Sequence, residues 1–178
     1  IRTLSDRVGR IKDVQCGRYN TYILNEDGEL FSCGYNANGE LGQRVFSHWW
    51  DIGVAIGQQH LSFGQVFPST SILDLRIVKV VAGNTHTTYA ITEDNKLWGW
   101  GYNAHHQLGV SEVNDPSRTF FTKYSVPMFI ADDVEDVFAG MYNTAFKKLS
   151  GEVYAMGRNE NGQLAGFGDG RGLGLDRH

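Results

Sequence analysis

Three stretches of this 178-residue chain repeat one pattern, and that repetition limits the possible folds more than any single motif does. They are "VQCGRYNTYILNEDGELFSCGYNANGELGQ" from Val14, "VVAGNTHTTYAITEDNKLWGWGYNAHHQLGV" from Val80 and "VFAGMYNTAFKKLSGEVYAMGRNENGQLAG" from Val137. Aligned on Gly17, Gly83 and Gly140, they recur after 66 residues (17 to 83) and 57 residues (83 to 140). Each unit begins with a short apolar strand that ends in a small residue and glycine. An alternating segment, a tight turn and a second alternating segment follow, the last closed by Gly34, Gly101 or Gly157. A polar turn completes the unit, with Gly39 and Gly42 in the first, Gly109 in the second and Gly162 in the third. The units span about residues 14–42, 80–109 and 137–166, separated by long insertions at 43–71 and 110–127.

The composition of the alternating segments makes them strands. Tyr22-Ile23-Leu24, Thr88-Tyr89-Ala90-Ile91 and Thr144-Ala145-Phe146 are rich in β-branched and aromatic residues. The turns "NEDGE", "TEDNK" and "LSGE" supply Asp, Asn or Gly where a hairpin needs positive φ. Trp98 and Trp100 stand where the other units have Phe31 and Cys33, or Tyr154 and Met156, so at least one face of that strand is core. His105 and His106 take the places of Asn38 and Gly39. They read as turn substitutions and not as metal ligands, since no third ligand is placed by spacing. Cys16 and Cys33 have no CxxC spacing and read as two small buried residues.

The three units resemble repeats of the regulator of chromosome condensation family, whose order is V-x-A-G-x-x-H-T, then G-x-L-x-x-W-G, then N-x-x-G-Q-L-G. The middle unit carries these motifs in that order. The first and third carry Tyr19 and Tyr142 near the position of His86, each with one residue fewer after the first glycine, and the third ends in Ala165-Gly166. The resemblance implies an all-β fold, a seven-bladed β-propeller of four-stranded antiparallel blades, of which three repeats make about three. An open arc leaves strand edges and blade faces uncovered, so the expected setting is a larger ring. The partners expected first are therefore the remaining blades of such a propeller, or other protein chains. Both ends of the sequence look like parts of a continuing array, "IRTLSDRVGRIKD" resembling the lead-in to later units and "FGDGRGLGLDRH" a linker to a further one.

The charge balance, 16 Lys and Arg against 20 Asp and Glu, comes without a basic run, which argues against direct binding of nucleic acid. No apolar stretch is long enough to span a bilayer, so the chain reads as soluble, in the cytoplasm or nucleus in preference to a secreted or virion setting. No catalytic set, cofactor motif or metal constellation is found. The acidic run Asp132, Asp133, Glu135 and Asp136 reads as a solvated linker. Propellers act through the loops they present. The candidate partner-binding residues are therefore the aromatics of the insertions: His48, Trp49, Trp50, Phe63 and Phe67 in the longer, Phe120, Phe121 and Tyr124 in the shorter. Members of the family include a nucleotide exchange factor for a small GTPase, ubiquitin-ligase scaffolds and a plant photoreceptor, and the act they share is protein binding. The expected function is a non-catalytic recognition or scaffold module. The alternatives are a guanine-nucleotide exchange factor and a structural component of a virion or cell-surface assembly.

Overall fold

The computed structural model describes residues 8–43, 59–66, 75–109 and 123–165, and over them the chain is all-β. The first blade contains β1 (Ile11–Cys16), β2 (Asn20–Asn25), β3 (Leu30–Tyr35) and β4 (Gln59–Val66), in the order β1-β2-β3-β4. The second repeats the arrangement with β5 (Ile77–Ala82), β6 (Thr87–Thr92), β7 (Leu97–Tyr102) and β8 (Lys123–Ala131). The third shows three strands among the described residues, β9 (Val134–Ala139), β10 (Asn143–Lys148) and β11 (Val153–Gly157). All pairings are antiparallel. The segments set apart above as insertions thus contain β4 and the start of β8, the outer strands of their blades.

The registers superpose the repeats residue by residue. Asn20 faces Gly34, Thr87 faces Gly101 and Asn143 faces Gly157. At each of these glycines φ is strongly positive, 114°, 97° and 110°. An added Cβ would lie 2.3, 2.1 and 2.3 Å from the carbonyl oxygens of Tyr19, His86 and Tyr142. Those oxygens accept the amides of Tyr35, Tyr102 and Arg158, so the missing side chain lets the hairpin lock onto the preceding turn. The second unit absorbs its extra residue by placing His86 itself at φ 60°. In the polar turns Asn36, Asn103 and Asn159 accept the amides of Leu41, Leu108 and Leu164 through Oδ1. His106 adopts φ 58° where Gly39 and Gly162 have 80° and 74°, the position of a turn residue.

The hydrophobic core lies between blades. Tyr22, Leu24, Leu30 and Val66 of the first blade meet Ile77, Val80, Ala90 and Trp100 of the second. Tyr89, Ile91, Leu97 and Leu108 of the second meet Val134, Val137, Phe146 and Met156 of the third. Successive residues of a strand point to opposite faces, so each middle strand supplies one row to the blade before it and one to the blade after.

Two readings of the sequence need correction. Cys16 is exposed and Cys33 half-buried, because both lie on the face of the first blade that looks away from the second. The acidic run is only partly linker. Glu135 and Asp136 belong to β9, where Glu135 pairs with Lys147 at 2.8 Å and Asp136 bonds Lys79 of the neighbouring blade.

Candidate functional site

The first strand of each blade ends, the second begins and the third ends at one edge of the sheet. Across the three blades, that edge collects aromatic side chains. Tyr19, from the turn between β1 and β2, lies edge-on to Tyr35 at the end of β3, ring centres 5.9 Å apart. His86 of the second blade completes a triangle with them, 5.9 Å from Tyr19 and 5.8 Å from Tyr35. The next junction repeats the theme. His105 is 6.1 Å from Tyr102 and 4.6 Å from Tyr142 of the third blade, edge-on to both. Guanidinium groups cover the flanks, Arg18 over Tyr19 at 5.1 Å and Arg158 over Tyr142 at 5.7 Å. Tyr19 and Met141 are more than half exposed.

Beneath this surface, the junctions are polar. Glu40 is fully buried, and its Oε1 lies 2.7 Å from Nδ1 of His86. Its Oε2 accepts the amide of Asn38, and its main-chain oxygen accepts both the Tyr22 hydroxyl and the Trp100 indole at 2.7 Å. Gln107 repeats the role, with Oε1 accepting the amide of His105 and the main-chain oxygen accepting the Tyr89 hydroxyl at 2.6 Å. Burial pushes the Tyr22 and Tyr89 phenols well above the usual tyrosine range, so both remain hydrogen-bond donors. At the surface, the Arg158 guanidinium holds Glu160 below the usual carboxylate range. This arrangement offers no activated nucleophile and no group of three or more metal-binding side chains among the described residues. It offers flat rings, stacked cations and a fixed backbone, the materials of protein recognition.

Of the sequence-derived candidates, His48, Trp49, Trp50, Phe67, Phe120 and Phe121 lie outside the described residues. Phe63 is half-buried on β4. Tyr124 is on β8, half-buried, and packs against the second core cluster. Spacing within a repeat does not single out the aromatic edge, because Tyr19 and Tyr142 read as departures from a histidine pattern. The available signal is that all three units place a ring in that slot, followed in two of them by Gly-Tyr at the end of the blade's third strand.

Comparison with known proteins settles the family. The model of the Regulator of chromosome condensation (RCC1) repeat matches residues 11–40 and 77–107. The chain belongs to the RCC1 repeat family. It is 32% identical, over 90% of its own length and 32% of the relative's, to the ultraviolet-B receptor UVR8 of Arabidopsis thaliana. It is 25% identical, over 86% of its length and 42% of the relative's, to a secretion-regulating guanine nucleotide exchange factor of Bos taurus. The chain therefore spans less than half the length of either relative. Among solved structures, yeast RCC1 (Prp20) bound to Kap60 superposes with a TM-score of 0.72 at 20% identity, covering 94% of this chain and 37% of the other. Human WBSCR16 gives 0.68 at 22%, covering 88% and 35%. The fold is that of an RCC1 β-propeller, here a part of one. No helix among the described residues is long and apolar enough to cross a membrane.

Proposed function

We propose that this chain is a non-catalytic protein-recognition segment of an RCC1-type propeller, acting as a scaffold through its aromatic edge. The observation that carries the reading is the pair of ring clusters on one side of the blades, Arg18, Tyr19, Tyr35 and His86 at the first junction and Tyr102, His105, Tyr142 and Arg158 at the second. Tyrosine and arginine are the residue types enriched where interfaces concentrate binding energy, since tyrosine presents a large contact area with little rotamer freedom to lose and arginine a planar fork of donors. The segment with His48, Trp49 and Trp50 is a second proposed contact surface of the same module. The test compares proteins retained by the wild-type chain with those retained by Tyr19→Ala/Tyr142→Ala and by Trp49→Ala/Trp50→Ala. Loss of a partner from the tyrosine variant, with an unchanged melting temperature, supports the edge as the contact. Full retention by that variant overturns it, and loss only from the tryptophan variant moves the contact to the long segment.

The relatives named as guanine nucleotide exchange factors favour a second reading, exchange on a small GTPase. Accelerated release of a fluorescent guanine nucleotide from a GTPase that the chain retains would establish it, and an unchanged release rate would remove it.

A further inference from the structure

Two Asn-Gly pairs occur in the chain, Asn38-Gly39 and Asn161-Gly162, in the equivalent polar turns of the first and third blades. Asparagine before glycine is the pair most prone to lose ammonia, because no side chain keeps the next backbone nitrogen away from the asparagine Cγ. The first of these turns holds its asparagine in a clamp. The main-chain amide of Asn38 donates to Oε2 of the fully buried Glu40 at 2.8 Å, and its side-chain Nδ2 donates to Oε1 at 2.9 Å. The Gly39 amide, the nitrogen that would attack, donates to the Asn36 carbonyl at 3.3 Å. Gly39 is itself buried against the second blade, where an added Cβ would meet Ser125 Cα at 2.5 Å. At Asn161 the partner is the neutral Gln163, whose Oε1 accepts the main-chain amide.

The clamp lies at the centre of the first junction. The same Glu40 Oε1 faces His86 Nδ1 at 2.7 Å, and the Glu40 main-chain oxygen accepts the Trp100 indole, both from the second blade. Asn38 Nδ2 is therefore a donor to the carboxylate that closes the gap between the blades. The two junctions share a hydroxyl key, Thr88 Oγ1 donating to Tyr22 Oη at 2.8 Å in the first and Thr144 Oγ1 lying 2.7 Å from Tyr89 Oη in the second. They differ at this turn, where the second has Gln107 in the place of Glu40 and His105-His106 in the place of Asn-Gly. The second junction is thus an internal reference for the first.

We infer that Asn38 is a deamidation site that acts as a one-way latch on the first junction, held unreactive while the junction is closed, converted when it opens, and unable to close fully once converted. In the open turn the Gly39 nitrogen gives up its proton and bonds to Asn38 Cγ, while the bond from Cγ to Nδ2 breaks and Nδ2 takes a proton and leaves as ammonia. Water then adds to either carbonyl of the five-membered imide and opens it, giving aspartate or isoaspartate with no change of oxidation state. Either product puts a carboxylate where the donor to Glu40 Oε1 stood, so two anions meet at a buried site. Isoaspartate also lengthens by one carbon the backbone of the turn that the Leu41 amide closes on Asn36 Oδ1. The latch is independent of the recognition role proposed for the aromatic edge.

Two measurements test the latch. Peptide mapping by mass spectrometry follows deamidation of Asn38 in the full chain, aged in mildly alkaline buffer with and without urea. The folded chain should react at least about tenfold more slowly, because a reaction that needs local opening scales with the open fraction. Hydrogen exchange then reads the junctions separately, the Trp100 indole reporting the first and the Leu108 amide, bonded to Asn103 Oδ1, the second. Asn38→Asp should speed exchange of the indole about tenfold and leave the Leu108 amide unchanged. Adding Glu40→Gln sets a donor against the new carboxylate, with the residue type that the second blade has there, and should bring the indole back to within about threefold of wild type. Asn161→Asp, the same change beside Gln163, should leave both probes as in wild type. Melting curves confirm that each variant is folded, and the ageing measurement needs no variant. The inference is overturned if Asn38 deamidates as fast in the folded chain as in urea, if Asn38→Asp leaves the indole unchanged or speeds both probes alike, or if the double variant exchanges as fast as the single one.

Discussion

The junction between the first and second blades and the junction between the second and third perform the same task with different chemistry. In the first, the flat indole of Trp100 lies over Gly42 and bonds the Glu40 main-chain oxygen, and a buried carboxylate meets His86. In the second, the thioether of Met156 lies over Gly109, neutral Gln107 replaces the glutamate, and Lys79 bonds Asp136 across the gap. What stays constant is the tyrosine–threonine hydroxyl pair and the small residue beneath the large one. The difference teaches that those two features define how blades dock, whereas the large residue fills volume and can be rigid or flexible.

The largest expected effect separates the two fillers. Trp100→Ala removes a fully buried indole and one of two donors to the Glu40 oxygen, and should cost roughly 3 to 5 kcal/mol. Met156→Ala should cost about 2 to 3 kcal/mol, because neighbouring side chains collapse more readily around an unbranched thioether site. Chemical denaturation of both variants measures the gap, and equal losses would erase the distinction between rigid and flexible filler.

A smaller effect comes from the glycines beneath. At Gly42 a Cβ would sit 2.6 Å from Trp100 Nε1, and at Gly109 2.5 Å from Met156 Sδ. Their φ values, 63° and 61°, impose the same backbone strain, so the comparison isolates packing. Gly42→Ala should cost about 2 to 3 kcal/mol, since the ring has no route aside, and Gly109→Ala about 1 kcal/mol, since the thioether can swing away. Ala165 already holds φ 56° at the matching place in the third blade, and it is exposed.

Smaller again is the effect of the hydroxyls taken singly. The Glu40 oxygen keeps its bond from Trp100 when Tyr22 becomes phenylalanine, whereas Tyr89→Phe removes the hydroxyl donor at Gln107 with no matching indole in the third blade. Tyr89→Phe should therefore cost about 1 to 2 kcal/mol and Tyr22→Phe nearer 0.5 kcal/mol. The same buried phenols set an alkaline limit. Their folded pKa values are raised above the unfolded value of about 10, so the unfolded chain releases these protons first, and stability falls as pH climbs above that value. A pH series of melts on wild type and Tyr22→Phe/Tyr89→Phe should show the wild type losing stability more steeply above pH 10.

Much of this was legible in the sequence because glycine order, strand alternation and turn residues are local properties. The three units, their equivalent glycines and the core side of the Trp98–Trp100 strand follow from them. What escaped depends on neighbours. β4 sits far along the chain from its hairpin and carries no repeat signature, so 43–71 read as an insertion. Cys16 and Cys33 read as buried from the sequence because small residues in a strand usually are, whereas both lie on the face that looks away from the second blade. The aromatic edge forms only when His86 and Tyr142 are carried across a junction, a proximity that spacing within one repeat does not encode.

The most direct test of the junction key is a double-mutant cycle on each hydroxyl pair, Tyr22→Phe with Thr88→Val and Tyr89→Phe with Thr144→Val, followed by chemical denaturation. If the pairs hold the blades together, the single changes will be non-additive, with a coupling of about 1 kcal/mol at both junctions despite their different fillers. Additive losses at both junctions would show that the hydroxyls merely lie close, and would contradict the account.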